Sequence, residues 1–155
     1  MSFQITALEA EPFAKLFAMS DQELAGRLAV RMIATSKPGF PCRVSLADAE
    51  EGEELILVNH QHLAAASPYQ ASHAIFVRKG AHQARLATNE TPEQLTSRTL
   101  SLRAFDDQAM IVGADLVEGC DLAPALEKLL ADPAAAYVHI HFAKFGCYAA
   151  RADRA

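Results

Sequence analysis

Side chains on a strand point alternately to its two faces, so an apolar residue at every second position marks a strand with one covered face. Tyr137-Val138-His139-Ile140-His141-Phe142 has this period in sharp form: Val138, Ile140 and Phe142 share an oily face, and Tyr137, His139 and His141 share a polar one. Phe3, Ile5 and Ala7 predict a short opening strand. Thr99 to Phe105 and Met110 to Val117, on either side of Asp106-Asp107-Gln108, predict a β-hairpin. Leu55 to Val58 is apolar without interruption, as in a strand covered on both faces, which predicts a central strand ended by Asn59-His60-Gln61-His62. A long connection through Ser67-Pro68-Tyr69 and Ser72 then leads to a strand over Ala74 to Arg78, stopped by Lys79-Gly80. Cys42 to Leu46 is read as a short strand entering a solvated acidic loop, Asp48 to Glu54.

Helix starts and helical spacing together mark three helices. Glu11-Pro12 suits a helix start, because proline in the first turn gives up only an amide without a partner, and Phe13, Leu16 and Phe17 follow on one side. Ser20 and Glu23 form a capping box, which predicts a second helix from Asp21 towards Leu28. Leu28 to Ala34 fits helix or strand, with Val30 and Ile33 tilting it to strand. Leu122, Leu126, Leu129 and Leu130 lie on one side of a third helix, capped by Asp121 and stopped by Asp132-Pro133. Residues 81–97 are weakly patterned, with one helical turn at Pro92 to Leu95. The fold class is α+β: a single domain over residues 1–155, a mostly antiparallel sheet with two short N-terminal helices and one helix before the last hairpin.

Composition narrows the classes. At 155 residues with 51% hydrophobic and 21% charged residues, the chain can bury an ordinary core without a metal or disulfide. A net charge of -5 with no basic run argues against nucleic acid as a partner. Three widely spaced cysteines, Cys42, Cys120 and Cys147, read as reduced thiols, and no apolar run is long enough for a membrane span. The opening residues lack a charged and an apolar signal region, so the expectation is a cytoplasmic, soluble protein with no membrane partner.

Candidate chemistry gathers on the polar face of the last hairpin, which turns at Lys144-Phe145-Gly146. A three-residue loop with left-handed glycine places His141 opposite Ala149 and His139 opposite Arg151, so that Cys147 and Arg151 join the histidine face; a slip of one residue sends them to the other side. Arg78, Arg103 and Arg151, with Arg43, are guanidiniums that could converge there and hold a carboxylate or phosphate by paired hydrogen bonds. Their alternative is to pair with Asp106, Asp115 and Asp153 at the surface. Tyr69, on the long connection, offers a hydroxyl to a ligand or to its own loop.

His139 and His141 at i and i+2 also suit a metal, with His62 or Cys42 as a third ligand, although polar residues on a half-solvated face need no such role. Cys42 and Cys147 are thiols that a neighbouring histidine or arginine could make nucleophilic. No G-x-S-x-G, P-loop, G-x-G-x-x-G or C-x-x-C occurs, which removes the ordinary hydrolase, nucleotide and thioredoxin readings.

The blocks Lys37 to Leu46, Ser67-Pro68-Tyr69 with Ala74 to Arg78, Leu102 to Phe105, and His139 to Arg151 together resemble the bacterial domain-of-unknown-function family 1203. The resemblance covers nearly the whole chain and implies no activity, cofactor or catalytic residue. Three functions stay open. The first is binding of a small anion, with or without catalysis, at Arg43, Tyr69, Arg78, Arg103, His139, His141, Cys147 and Arg151. The second is a non-enzymatic homodimeric interaction module, and the third a metal-dependent enzyme using His62, His139 and His141.

Overall fold

The computed structural model describes all 155 residues as eight strands and four short helices, with the strands in two antiparallel sheets. In chain order these are β1 (Phe3–Thr6), α1 (Glu11–Ala14), α2 (Asp21–Ala25), β2 (Ala29–Ile33), β3 (Glu54–Leu63) and β4 (Ala71–Arg78). Then come α3 (Glu93–Thr96), β5 (Thr99–Phe105), β6 (Ile111–Glu118), α4 (Leu122–Ala131), β7 (Tyr137–Phe142) and β8 (Tyr148–Arg154). The larger sheet runs β1-β8-β7-β5-β6 and the smaller β2-β3-β4.

One face of the larger sheet is apolar. Leu100, Leu102, Val138, Ile140, Ala150 and Ala152 are buried there against Leu122, Leu126 and Leu130 of α4. Phe3 and Ile5 of β1 extend that core. The smaller sheet has a second core, in which Ile56, Val58, Ile75 and Val77 pack under Phe13, Leu16 and Leu24 from the N-terminal helices. Burial of these side chains, at about 1.5–3 kcal/mol each, carries helices too short to persist alone.

The capping box at Ser20 forms in full, with the Ser20 hydroxyl accepting from the Glu23 amide and the Glu23 carboxylate from the Ser20 amide. The helix nonetheless stops at Ala25, short of Leu28, whose φ of 52° turns the chain into β2. Leu28 to Ala34 therefore resolves as strand over its central five residues. Asp121 precedes α4 but its side chain makes no cap hydrogen bond; a single 3-10 turn at Gly119–Asp121 leads into the helix instead.

Two sequence expectations give way. Cys42 to Leu46 is no strand: it touches a sheet by one isolated bridge, Cys42 with Phe76 of β4, while Pro41 bridges Asp48 within the loop. It acts as a stitch, because the Arg43 amide donates to the Phe76 carbonyl while the Arg43 carbonyl accepts from Leu8. The acidic loop is only partly solvated, since Ala49 is fully buried and the Asp48 carboxylate holds Arg98 through two hydrogen bonds, 3.0 and 2.6 Å.

β3 does not end at Asn59. It continues to Leu63, through a register irregularity after His60, and so carries His60 and His62 beyond the smaller sheet's core.

Candidate functional site

The extension of β3 brings its last residues over the polar face of the larger sheet. On that face Arg103 of β5, His139 of β7 and Arg151 of β8 are direct cross-strand neighbours in one row. In the next row stand Ser101, His141 and Tyr148, and beside the first stand Phe105 and Tyr137. Cross-strand neighbours share a face, so the rings are held side by side by sheet register alone. His62 closes the cluster from above: its ring centroid lies 5.0 Å from that of His141 and 6.0 Å from that of His139. It also stacks on Tyr148 at 5.5 Å and 12°.

A bulge between Ile140 and His141 changes the last hairpin from its sequence-based register. His139 faces Arg151 as expected, but His141 faces Tyr148 rather than Ala149. Tyr148 thereby enters the histidine face and Cys147 leaves it: Cys147 is buried in the core on the other face, where its Sγ accepts a hydrogen bond from Arg43 Nη2 at 3.0 Å.

Burial sets the electrostatics. His139 and His141 are 4% and 1% exposed, and loss of hydration pulls both pKa values down to about 3. His62 falls to about 4 for the same reason, helped by the charges of its neighbours. Arg103 bears on all three imidazoles, further disfavouring their protonation. Desolvation likewise raises the Tyr148 phenol to about 12. At neutral pH the cluster is thus three uncharged imidazoles and a protonated phenol.

The tautomer of one ring is fixed. His141 Nδ1 lies 2.9 Å from the Gly146 carbonyl, which can only accept, so Nδ1 carries the proton and Nε2 presents a lone pair. That Nε2, together with Nδ1 of His62 and Nδ1 of His139, is buried with no hydrogen-bond partner.

The guanidiniums divide. Arg103 is half-buried, and desolvation lowers its pKa, yet it makes neither a side-chain hydrogen bond nor an ion pair. Arg151 shares the face but spends its donors on Asp153, at 2.6–3.1 Å, and lies over the Tyr137 ring at 4.0 Å. Arg78 is paired with Glu53 and sits opposite Leu55, so the length of β3, roughly 20 Å at 3.3 Å per residue, separates it from His62. Arg43 is 1% exposed and donates to the carbonyls of Tyr148 and Pro41 and to Cys147, bridging the two sheets. Tyr69 stands at the rim, its ring edge-on to Phe105 at 6.2 Å.

Of the residues singled out in the sequence, the structure gathers Arg103, His139, His141 and Arg151 with His62, sets Tyr69 at the margin, and keeps Arg43, Arg78 and Cys147 elsewhere. His60 and Tyr148 join the cluster unforeseen, the first through the longer β3 and the second through the bulge. For metal, no group of three or more His, Cys, Asp or Glu side chains stands so that it could hold an ion.

Fold and site define a two-sheet α+β domain with a polar, imidazole-lined face sealed by the end of a strand from the other sheet. Residues 39–154 match the family described as protein of unknown function DUF1203, and the chain belongs to that family. No curated protein and no solved structure matches it. None of its helices is long and apolar enough to cross a membrane.

Proposed function

We propose that the chain binds a small hydroxylated anion, such as a hydroxycarboxylate, between Arg103 and the imidazoles of His62, His139 and His141. What carries this reading is the set of three buried ring nitrogens without partners beside a guanidinium without a counter-ion. Buried polar atoms are nearly always hydrogen-bonded, and a half-buried cation favours a carboxylate or phosphate. The lone pair on His141 Nε2 repels an anionic oxygen and calls for a donor, so the ligand must offer a hydroxyl as well as a charge.

A conjugate acid near pKa 3 makes a poor base at neutral pH, so the rings serve as hydrogen-bonding groups rather than as proton carriers. The lone pair would also suit a metal, but the three rings do not converge as a ligand set.

Calorimetric titration with paired acids tests this: glycolate against acetate, and malate against succinate. The hydroxylated member of a pair should bind at least tenfold tighter, a difference of about 1.4 kcal/mol, and Arg103→Ala should abolish binding of both members while leaving Tm nearly unchanged. Equal binding of both members, or no binding of any, overturns the reading. So does stoichiometric metal in the untagged protein, removed by His139→Ala.

A further inference from the structure

A cavity lies away from the cluster of His62, His139 and His141, with His73 among the residues that line it. It is a half-open groove of about 560 Å³ between the edge of β4, the Pro38–Arg43 segment and the β7–β8 turn. That volume is typical of a small-molecule site. Its walls are aromatic, with Phe76, Phe142 and Phe145, and Phe145 at the turn is 75% exposed.

Its charge runs against that of the chain. The molecule carries -5, yet no aspartate or glutamate lines the groove, while Arg43, Arg98 and Lys144 do. Arg98 is neutralised by Asp48 from behind. Arg43 has no carboxylate partner, although burial brings it only to about 10 and it stays protonated at neutral pH. It lies 4.7 Å from the Phe142 ring and donates one N–H from each nitrogen, to Tyr148, Pro41 and Cys147, leaving two of the five guanidinium N–H groups uncommitted. Lys144, exposed at the mouth, forms no ion pair. Burying a cation without its counter-charge is costly, and an anion in the groove would offset that cost.

We infer that this groove is a second binding site, for an amphipathic monoanion: a single carboxylate directed to Arg43 and Lys144, and an aromatic or acyl body laid against Phe76, Phe142 and Phe145. A polar hydroxy acid fits it poorly, because most of the wall is apolar and would stay wet. The two sites therefore sort ligands by the polarity of the body.

The test uses 1-naphthoate, followed by calorimetric titration against the full chain, with uncharged 1-naphthalenemethanol as the control. Lys144→Glu and Phe145→Ser change exposed side chains in a turn, so both variants should keep the wild-type Tm. Each is expected to weaken naphthoate at least fivefold, and the alcohol should bind at least fivefold more weakly than the acid. Arg103→Ala should leave naphthoate affinity unchanged, which separates this result from that at the histidine face. The inference is overturned if naphthoate does not bind at millimolar concentration, if both turn variants bind it as wild type does, if the alcohol binds as tightly, or if Arg103→Ala abolishes binding.

Discussion

His141 and Gly146 hold each other across the β7–β8 turn: the imidazole Nδ1 donates to the glycine carbonyl at 2.9 Å. Gly146 has φ of +78°, a conformation that glycine adopts without strain, and this aims its carbonyl at the ring two residues before the strand resumes. The turn therefore chooses the tautomer, and with it the polarity of the nitrogen that faces the cluster. Nitrogen-15 NMR at neutral pH should find His141 uncharged with its proton on Nδ1. A spectrum showing the proton on Nε2 would remove the basis for requiring a ligand hydroxyl.

Acid should destabilise the protein well above the range in which its carboxylates titrate. His139 and His141 have folded pKa values of about 3 against an ordinary value of 6.5, and His62 about 4. Between those limits the unfolded chain binds more protons than the folded one, so stability is complete above pH 6.5 and declines as pH falls towards 3. Each imidazole that is charged only when unfolded contributes a slope of about 1.4 kcal/mol per pH unit. Urea titrations from pH 7.5 to 4.5 should show this loss, and His139→Leu should make it shallower. A stability flat across that window would mean that the rings take up protons in the fold as readily as in the unfolded chain.

Two arginines that look alike in the sequence should differ in worth. Arg43→Ala leaves the Tyr148 and Pro41 carbonyls without their donor inside the junction of the sheets, and is expected to cost roughly 3 kcal/mol or more in urea unfolding. Arg78→Ala removes a partly solvated pair with Glu53 and should cost under about 1 kcal/mol. Similar costs for the two would show that the Arg43 guanidinium does not bridge the sheets.

That contrast marks where the letters stop being informative. Alternation reads well within a strand, which is why β1, β5, β6 and β7, and the one-sided α4, stand where their periods put them. It also put Arg103, His139 and Arg151 within reach of one another, since each lies in a regular stretch of one sheet. It fails at places where one residue is added or skipped. The bulge at His141 exchanges Tyr148 for Cys147, and polar Asn59 to His62 hides a strand because its cover is the other sheet's polar face rather than oil. Arg43 illustrates a third blindness. Nothing beside Cys42 and Val44 distinguishes a buried guanidinium tied to distant carbonyls from one awaiting a ligand.

Gly119 offers a sharper test of the packing between α3 and the turn into α4. A Cβ built there would meet the Leu95 carbonyl oxygen well inside contact distance, and Thr96 carbonyl atoms at 2.6 Å. Both obstacles are backbone, which cannot swing aside as a flexible side chain could. At Gly113 on β6 an added methyl meets only Leu129 Cδ2 at 3.3 Å and Ala104 Cβ at 3.7 Å, and the leucine can shift. Gly119→Ala should therefore cost about 3 kcal/mol, the upper end of overpacking, whereas Gly113→Ala should stay within about 1 kcal/mol of wild type. Chemical denaturation of the two variants compares them directly. A mild Gly119→Ala would mean that the α3 turn stands off from Gly119, and the close approach of Leu95 to the start of α4 would have to be abandoned.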